Sequence, residues 1–445
     1  MSTTAGPNQT AASGTGPAEV DEVLYVEHPR LALAALLALG AAAFCFVTAE
    51  NMPVGLLGVI ASSLHSSVSA VGLLVTAYAA VVVVSSAPLT RLTTKWPRRP
   101  VICALVAAFS LTTLASSAAG NYWWLLGTRV LTALAQALFW SIVSVTAVSL
   151  FPAKVRGKAV AGVLGGSSVA VVLGVPAATW IGQQGGWRLP FLVLSGLGAA
   201  IGVAIAFLLP GYHPAKTHAG TGTRPSRRRY RLLILTTILQ VTGSFTAYTY
   251  ISDFLTHVAR LPAHDVAGVL LVAGAGGTLG LVAAGALFDR HPKVVSLLPE
   301  ALLACALLGL YAFGTSHGAA LLGEILASVG LSTFVVTNQN TVLIVAPGST
   351  DVASAWLSAS FNVGIASGSL AGSLAVTAFG VRATTLAGGL LASGALVAVL
   401  IDHLTRDEGR PAVPGAPALS SSDGRPRPAA QPPNGTKARA SQVPL

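Results

Sequence analysis

The sequence predicts an all-α polytopic membrane protein with twelve transmembrane helices in two six-helix bundles. Three observations carry that reading. Only 9% of the 445 residues are charged and 53% are hydrophobic, whereas an average soluble chain is about 25% charged. Mean hydropathy is +0.71. The apolar residues also lie in repeated continuous runs of about 20, the length that crosses a ~30 Å hydrocarbon core. The low charge excludes a soluble enzyme. The continuous runs exclude a β-barrel, whose strands are short and alternate apolar with polar.

The first run begins near Leu31. It exceeds the apolar stretch of a signal peptide and is followed by many more, so it is expected to remain as a membrane helix. The first six spans are expected at 31–58, 69–90, 101–119, 122–148, 159–182 and 190–210. The second six are expected at 231–257, 265–288, 294–314, 319–345, 352–378 and 381–404. Some connections are very short, as at Gly120 and Asn121. Residues 1–30 and 405–445 are rich in Gly, Pro, Ser, Ala and charge, and are expected to be disordered tails. Residues 211–230 have the same character, with Pro214, Pro225 and Arg227 to Arg229, and are expected to link bundle 31–210 to bundle 231–404.

The formal charge of +11 is a topology signal, because the basic residues sit in short loops and tails. With the N-terminus inside, the inner loops hold fifteen Lys and Arg. The outer loops hold only Arg188, Arg260 and Arg382. The positive-inside rule then puts both termini in the cytoplasm, in agreement with an even span count. A nucleic-acid partner is not expected. Cys45, Cys103 and Cys305 fall within apolar runs and read as small hydrophobes, with no disulfide framework.

Two loops at equivalent places repeat a signature. Thr90-Arg-Leu-Thr-Thr-Lys-Trp-Pro-Arg-Arg99 follows the second span, and Gly285-Ala-Leu-Phe-Asp-Arg-His-Pro-Lys293 follows the eighth. The second matches G-x-L-x-D-R-x-G/P-R/K with Pro292 in place of Gly, and the first matches in part. Two six-span halves with this shared loop resemble the major facilitator superfamily, whose halves are parallel repeats around a midplane site. Thr48-Ala-Glu-Asn-Met-Pro-Val-Gly-Leu-Leu57 resembles the first span of its twelve-span drug and sugar efflux antiporters, the group of the arabinose-efflux permeases. Arg129 with Phe139 and Trp140 is similar to that group's fourth span. Gly174-Val-Pro176, with Gly186-Trp-Arg188 and Phe191, is similar to its fifth-span antiporter motif and outer turn. Gln339, Ala346-Pro347, Phe361-Asn-Val-Gly364, Gly368 and Gly372 extend the likeness to spans 10 and 11.

The resemblance implies conformational roles for Arg98, Arg99, Gly285, Asp289 and Arg290 in the loops and for Gly174 and Pro176 in span 5. Thr94 stands where the family has Asp and Thr90 where it has Gly, so the first loop's charge latch is weakened. Gln136 replaces the family's His in span 4, and with it goes one proton-relay group.

A charge at mid-bilayer costs about 2.5 to over 10 kcal/mol, so each needs a partner, a cavity or a task. Glu50 in span 1 is the candidate proton site, with a structural carboxyl joining helices as the other reading. Arg129 stays cationic and would hold a carboxylate or backbone carbonyls in one geometry, as a coupling element or a static tie. Glu300 is expected to be interfacial, Glu324 lies near the outer end of span 10, and Asp253 lies near that of span 7. With Glu50 the one clear mid-span acid, strongly cationic cargo is not expected. Gln240, Ser244 and Tyr248 recur at i, i+4 and i+8 on one helical stripe. With Gln136, Asn338, Gln339 and Asn362 they would line a cavity for a sugar or a neutral, weakly polar drug. Helix-to-helix hydrogen bonding is the alternative for each.

No zinc-protease helix, Cys-His cluster or phosphate loop occurs, so no enzyme activity, cofactor or metal is expected and energy would come from a gradient. The expected function is a secondary active transporter exporting a drug-like compound or sugar in exchange for protons, by alternating access, in the cytoplasmic membrane. Its expected partners are a small-molecule substrate, the proton and the bilayer, and it is expected to be a monomer. The rival readings are an uptake symporter or facilitator of the same fold and a non-transport membrane sensor.

Overall fold

In hydrocarbon an unpaired backbone N–H or C=O costs several kcal/mol, and the α-helix pairs them within one segment. The apolar runs form helices accordingly. The computed structural model describes residues 29–93, 95–152, 155–210, 223–287 and 292–407. Outside them lie Thr94, Asp289 and Arg290, residues 211–222 of the expected linker and nearly all of both expected tails. Pro29 and Arg30, expected in the N-terminal tail, open the first helix, and residues 405–407 close the last.

The first half comprises α1 (Pro29–Gly55), α2 (Leu57–Ser63), α3 (Val68–Thr93), α4 (Arg98–Ser117), α5 (Tyr122–Ser149), α6 (Arg156–Val169), α7 (Val175–Gly185) and α8 (Arg188–Leu208). A π-helical turn, Ala170–Gly174, joins α6 to α7. The second half comprises α9 (Arg227–Tyr248), α10 (Ile251–His257), α11 (Val266–Leu287), α12 (Pro292–Phe313), α13 (His317–Val345), α14 (Thr350–Phe379) and α15 (Arg382–Asp407). Eleven segments are long and apolar enough to cross a membrane, and α9 with α10, bent by 42°, makes the twelfth.

Three expected spans are interrupted. Span 1 breaks after Gly55, two residues past Pro53, where proline withholds a helical N–H. Span 5 takes up an extra residue in its π-helical turn just before Pro176. Span 7 breaks at Thr249 and Tyr250.

Among the described residues up to Asp402, which form one compact unit, there are two main cores. The larger draws on residues between Ala32 and Leu209, with Tyr250 added from the other half. The second draws on residues between Val241 and Ala392, with Val54, Val75, Ala79 and Val175 added from the first half. In the first half α1 packs on α6 and α3 on α5; the matching pairs in the second are α9 on α14 and α11 on α13. Small residues permit this closeness. A Cβ on Gly166 would strike the Gly40 carbonyl of α1, and one on Gly368 would lie 2.5 Å from the Thr242 carbonyl of α9.

The repeat extends to a pair of turns that the loop signature does not cover. Gly186 (φ 87°) and Gly380 (φ 84°) each adopt a backbone that side chains disfavour, and each stands two residues before an Arg that opens the next helix. Arg188 donates to the Ala119 carbonyl at 2.7 Å and lies over the Trp187 ring. Arg382 donates to the Tyr311 carbonyl at 2.6 Å and lies over the Tyr311 ring. Each Arg thus ties the last helix of its half to the end of the third span, α4 in the first half and α12 in the second.

Gly165 has nothing within 4 Å of an added Cβ, although its neighbour Gly166 is tightly packed. Gly166→Leu is therefore expected to destabilise the protein by about 1–3 kcal/mol or more, while Gly165→Leu leaves it near native. Thermal unfolding of the two purified variants checks the contrast.

Candidate functional site

The site is built around the interruption in α1. Pro53 has no N–H, so the carbonyl of Ala49 four residues earlier loses its helical donor. Arg129 on α5 supplies one: Nη1 donates to Ala49 O at 2.6 Å and Nη2 to Glu50 O at 3.0 Å. Its guanidinium lies 4.3 Å from the centroid of the Tyr78 ring of α3, a cation–π contact that gains strength when desolvated. Arg129 is only 1% exposed, so these groups take the place of water.

The same residues reach the Glu50 side chain. Tyr78 donates its hydroxyl to Gln136 Oε1 at 2.6 Å, and Gln136 donates through Nε2 to Glu50 Oε2 at 2.7 Å. Arg129 therefore holds backbone carbonyls, one of its two expected partners, and the Glu50 carboxyl is held through an amide. Gln136 is the bridge, buried at the helix contact away from the cavity wall.

Beside this network lies a cavity of about 310 Å³ between the halves. The first half contributes Glu50, Asn51 and Ser167, and the second Ser244, Tyr248, Thr278, Glu324 and Ser328, with the aromatic faces of Phe245 and Phe361. Among the described residues, no Lys, Arg or His lines it.

The expected polar stripe divides. Ser244 and Tyr248 reach the cavity. Gln240 turns from it and donates to Pro299 O at 3.2 Å, tying α9 to α12. Asn338 donates to Thr237 Oγ1 at 2.9 Å, joining α13 to α9. Asn362 donates to Ser358 O within its own helix at 3.1 Å, and Gln339 is exposed outside the cavity wall. Gln240 and Asn338 thus take the helix-to-helix bonding that spacing left open, whereas Asn362 bonds within its own helix and Gln339 is exposed. Glu300, expected at the interface, is buried, with Oε2 unpartnered among the described residues. Asp253 pairs with His257 at 3.0 Å away from the cavity wall.

Of the expected conformational residues, Gly174 ends the π-helical turn, where a Cβ would strike Thr48 Oγ1 and lie 3.0 Å from the Phe44 ring. Pro176 is buried just beyond it. Arg98 is buried and donates to Thr93 O at 3.5 Å, and Arg99 donates to the Ala206 carbonyl of α8. Gly285 lies in the last turn of α11, while Asp289 and Arg290 lie outside the described residues.

The two halves also meet through hydrogen bonds at the membrane face where α1 ends. Ser69 and Ser373 hydroxyls stand 2.5 Å apart, Thr377 donates to Ser69 Oγ at 2.9 Å, Ser369 to Gly72 O at 2.8 Å and Ser252 to Val54 O at 2.6 Å. Sequence reasoning missed Tyr78, Asn51 and these serine contacts, because single uncharged polar groups in apolar helices have no distinguishing spacing. The consequence of Pro53 for Ala49 was readable four residues upstream.

A family model described as Major Facilitator Superfamily matches residues 39–351. Proteins of Helicobacter pylori strains J99 and P12, each named "Probable sugar efflux transporter", are 34% identical over 82% of this chain and 94% of their own length. A bacterial homologue of the human lysosomal transporter Spinster, in an inward-facing and occupied conformation, superposes with a TM-score of 0.67. It is 16% identical, over 83% of this chain and 96% of that one. The human organic anion transporter MFSD10 superposes with a TM-score of 0.60 at 17% identity, over 83% and 99%.

Lys has no planar fork to span two carbonyls and lie on a ring, so Arg129→Lys is expected to destabilise the protein by about 1.5–3 kcal/mol. Pro53→Ala restores an N–H to the Ala49 carbonyl. The two substitutions should therefore couple by about 0.5 kcal/mol or more in a double-mutant cycle of unfolding free energies; simple additivity would separate Arg129 from Pro53.

Proposed function

The chain belongs to the major facilitator superfamily and is a membrane-embedded transporter; from that premise we propose that it exports a sugar across the cytoplasmic membrane in exchange for protons. The observation that carries the reading is the direct hydrogen bond from Gln136 to Glu50 beside the cavity. It joins Glu50, an acid that itself lines the space a cargo would fill, to Gln136 and Tyr78 of the Arg129 network. The names of the Helicobacter relatives support sugar as cargo. The hydroxyl, carboxyl and aromatic lining supports it too, since hydroxyl-rich solutes both accept and donate hydrogen bonds and place their C–H faces on rings.

In the proposed cycle both termini are cytoplasmic. The serine contacts close the outer face while cargo enters from inside and meets deprotonated Glu50. The halves then rock, the contacts Ser69–Ser373 and Ser252–Val54 part, and cargo leaves as a proton from outside binds Glu50. Return of the protonated form delivers the proton inward. Arg129 and Pro53 keep the α1 backbone fixed relative to α5 through the movement, so that Glu50 moves with its bundle as one body.

Protein reconstituted in sealed vesicles with a radiolabelled sugar tests the scheme. Native protein is expected to exchange labelled for unlabelled sugar and to accumulate sugar against its gradient when an opposing proton gradient is imposed. Glu50→Gln, which keeps the hydrogen-bonding size but holds no titratable proton, should retain exchange and lose gradient-driven accumulation. Accumulation in Glu50→Gln equal to native would remove Glu50 from coupling, and accumulation on the alkaline side, toward which the protons flow, would make the protein an uptake symporter.

A further inference from the structure

Arg129 has a counterpart in the second half that is an anion. It stands eight residues after Asn121, the side-chain N-cap of α5, and Glu324 stands eight residues after Ser316, the side-chain N-cap of α13. The two helices occupy equivalent places, α5 packed on α3 and α13 on α11. Both terminal nitrogens of the cation are engaged by α1 and its plane lies over the Tyr78 ring, while Nε has no partner among the described residues. The anion is not engaged: Glu324 is 5% exposed, lines the cavity, and its carboxyl makes no hydrogen bond or ion pair with any described residue.

A carboxyl taken from water without a partner is costly in apolar surroundings, and what Glu324 faces is the cavity. Glu50 faces it from the other half, already receiving a hydrogen bond from Gln136. The Tyr248 and Phe361 rings complete the wall, and ring faces attract cations. With both charged groups in the wall acidic, the cavity favours cations and repels anions. This reverses the expectation, based on Glu50 alone, that strongly cationic cargo is unsuited.

We propose that Glu324 is a cargo-binding carboxylate that gives the cavity a preference for hydroxyl-rich small molecules bearing a protonated amine, with amino sugars the simplest members. The inference rests on the transport reading and deepens it. The ammonium donates to Glu324, the hydroxyls pair with Ser244, Ser328 and Asn51, and a phosphate or carboxylate on the same skeleton is rejected.

Binding to purified full-length protein, followed by calorimetry at constant pH with glucosamine, glucose and glucose 6-phosphate as probes, tests it. An ammonium–carboxylate pair in place of a neutral hydroxyl on the same carboxylate predicts glucosamine binding about tenfold or more tighter than glucose, with glucose 6-phosphate weakest. Glu324→Gln should abolish the preference, bringing the glucosamine-to-glucose affinity ratio to about one, and Glu324→Asp should keep it. Unfolding temperatures near native show that the variants are folded. Equal binding of glucosamine and glucose by the native protein, a preference that survives Glu324→Gln, or no binding of glucosamine would overturn the proposal. Glucose exchange that persists in vesicles would then leave the transport reading standing, and loss of all exchange by native protein would remove both.

Discussion

A guanidinium buried among apolar helices must be satisfied by protein atoms, and here a proline supplies what it needs. Pro53 leaves the Ala49 carbonyl without its helical donor, and Arg129 meets that carbonyl and the next one. Two groups that would each be costly alone, an orphan acceptor and an unhydrated cation, offset much of each other's cost, with Nε of Arg129 left without a partner among the described residues. The fit also fixes where α1 sits against α5, and so where Glu50 stands relative to Gln136 and the cavity. Pro53 also marks the break in α1 after Gly55, and the Tyr78 stack and the amide bridge from Gln136 to Glu50 lie beside the pairing.

The fold repeats its solutions in the two halves and departs from repetition at the site. Paired glycine contacts, the two positive-φ glycines and the two turn arginines recur at matching positions. Where α5 carries Arg129, α13 carries Glu324. One half has used its buried charge to lock a backbone, while the other presents an open charge to the cavity.

The span count and the two-half architecture were legible because hydrocarbon allows only long apolar helices, and the loop signature marked the repeat. Glu50 and Arg129 stood out because charges are rare in such helices. The amides were harder to place. Gln240, Asn338 and Asn362 look like cavity residues by composition, yet each is consumed by a helix contact or its own backbone. A polar side chain in lipid bonds to whichever acceptor packing brings near, and spacing along one helix does not specify the neighbour. Glu300 was misjudged for the converse reason: its position near one end of a helix suggested the interface, but it is buried, and Glu324, near the outer end of its span, lines the cavity.

The account depends on the two halves pivoting about the cavity with Glu50 as the proton-sensitive element. The most direct measurement is the distance between spin labels at Ser67 and Phe379, at the adjoining ends of α3 and α14, in protein whose native cysteines are replaced. In native protein acidification should convert part of a short-distance population into a longer one, and in Glu50→Gln the distribution should no longer respond to pH. A single distance in native protein, unchanged by pH and by cargo, would contradict the account.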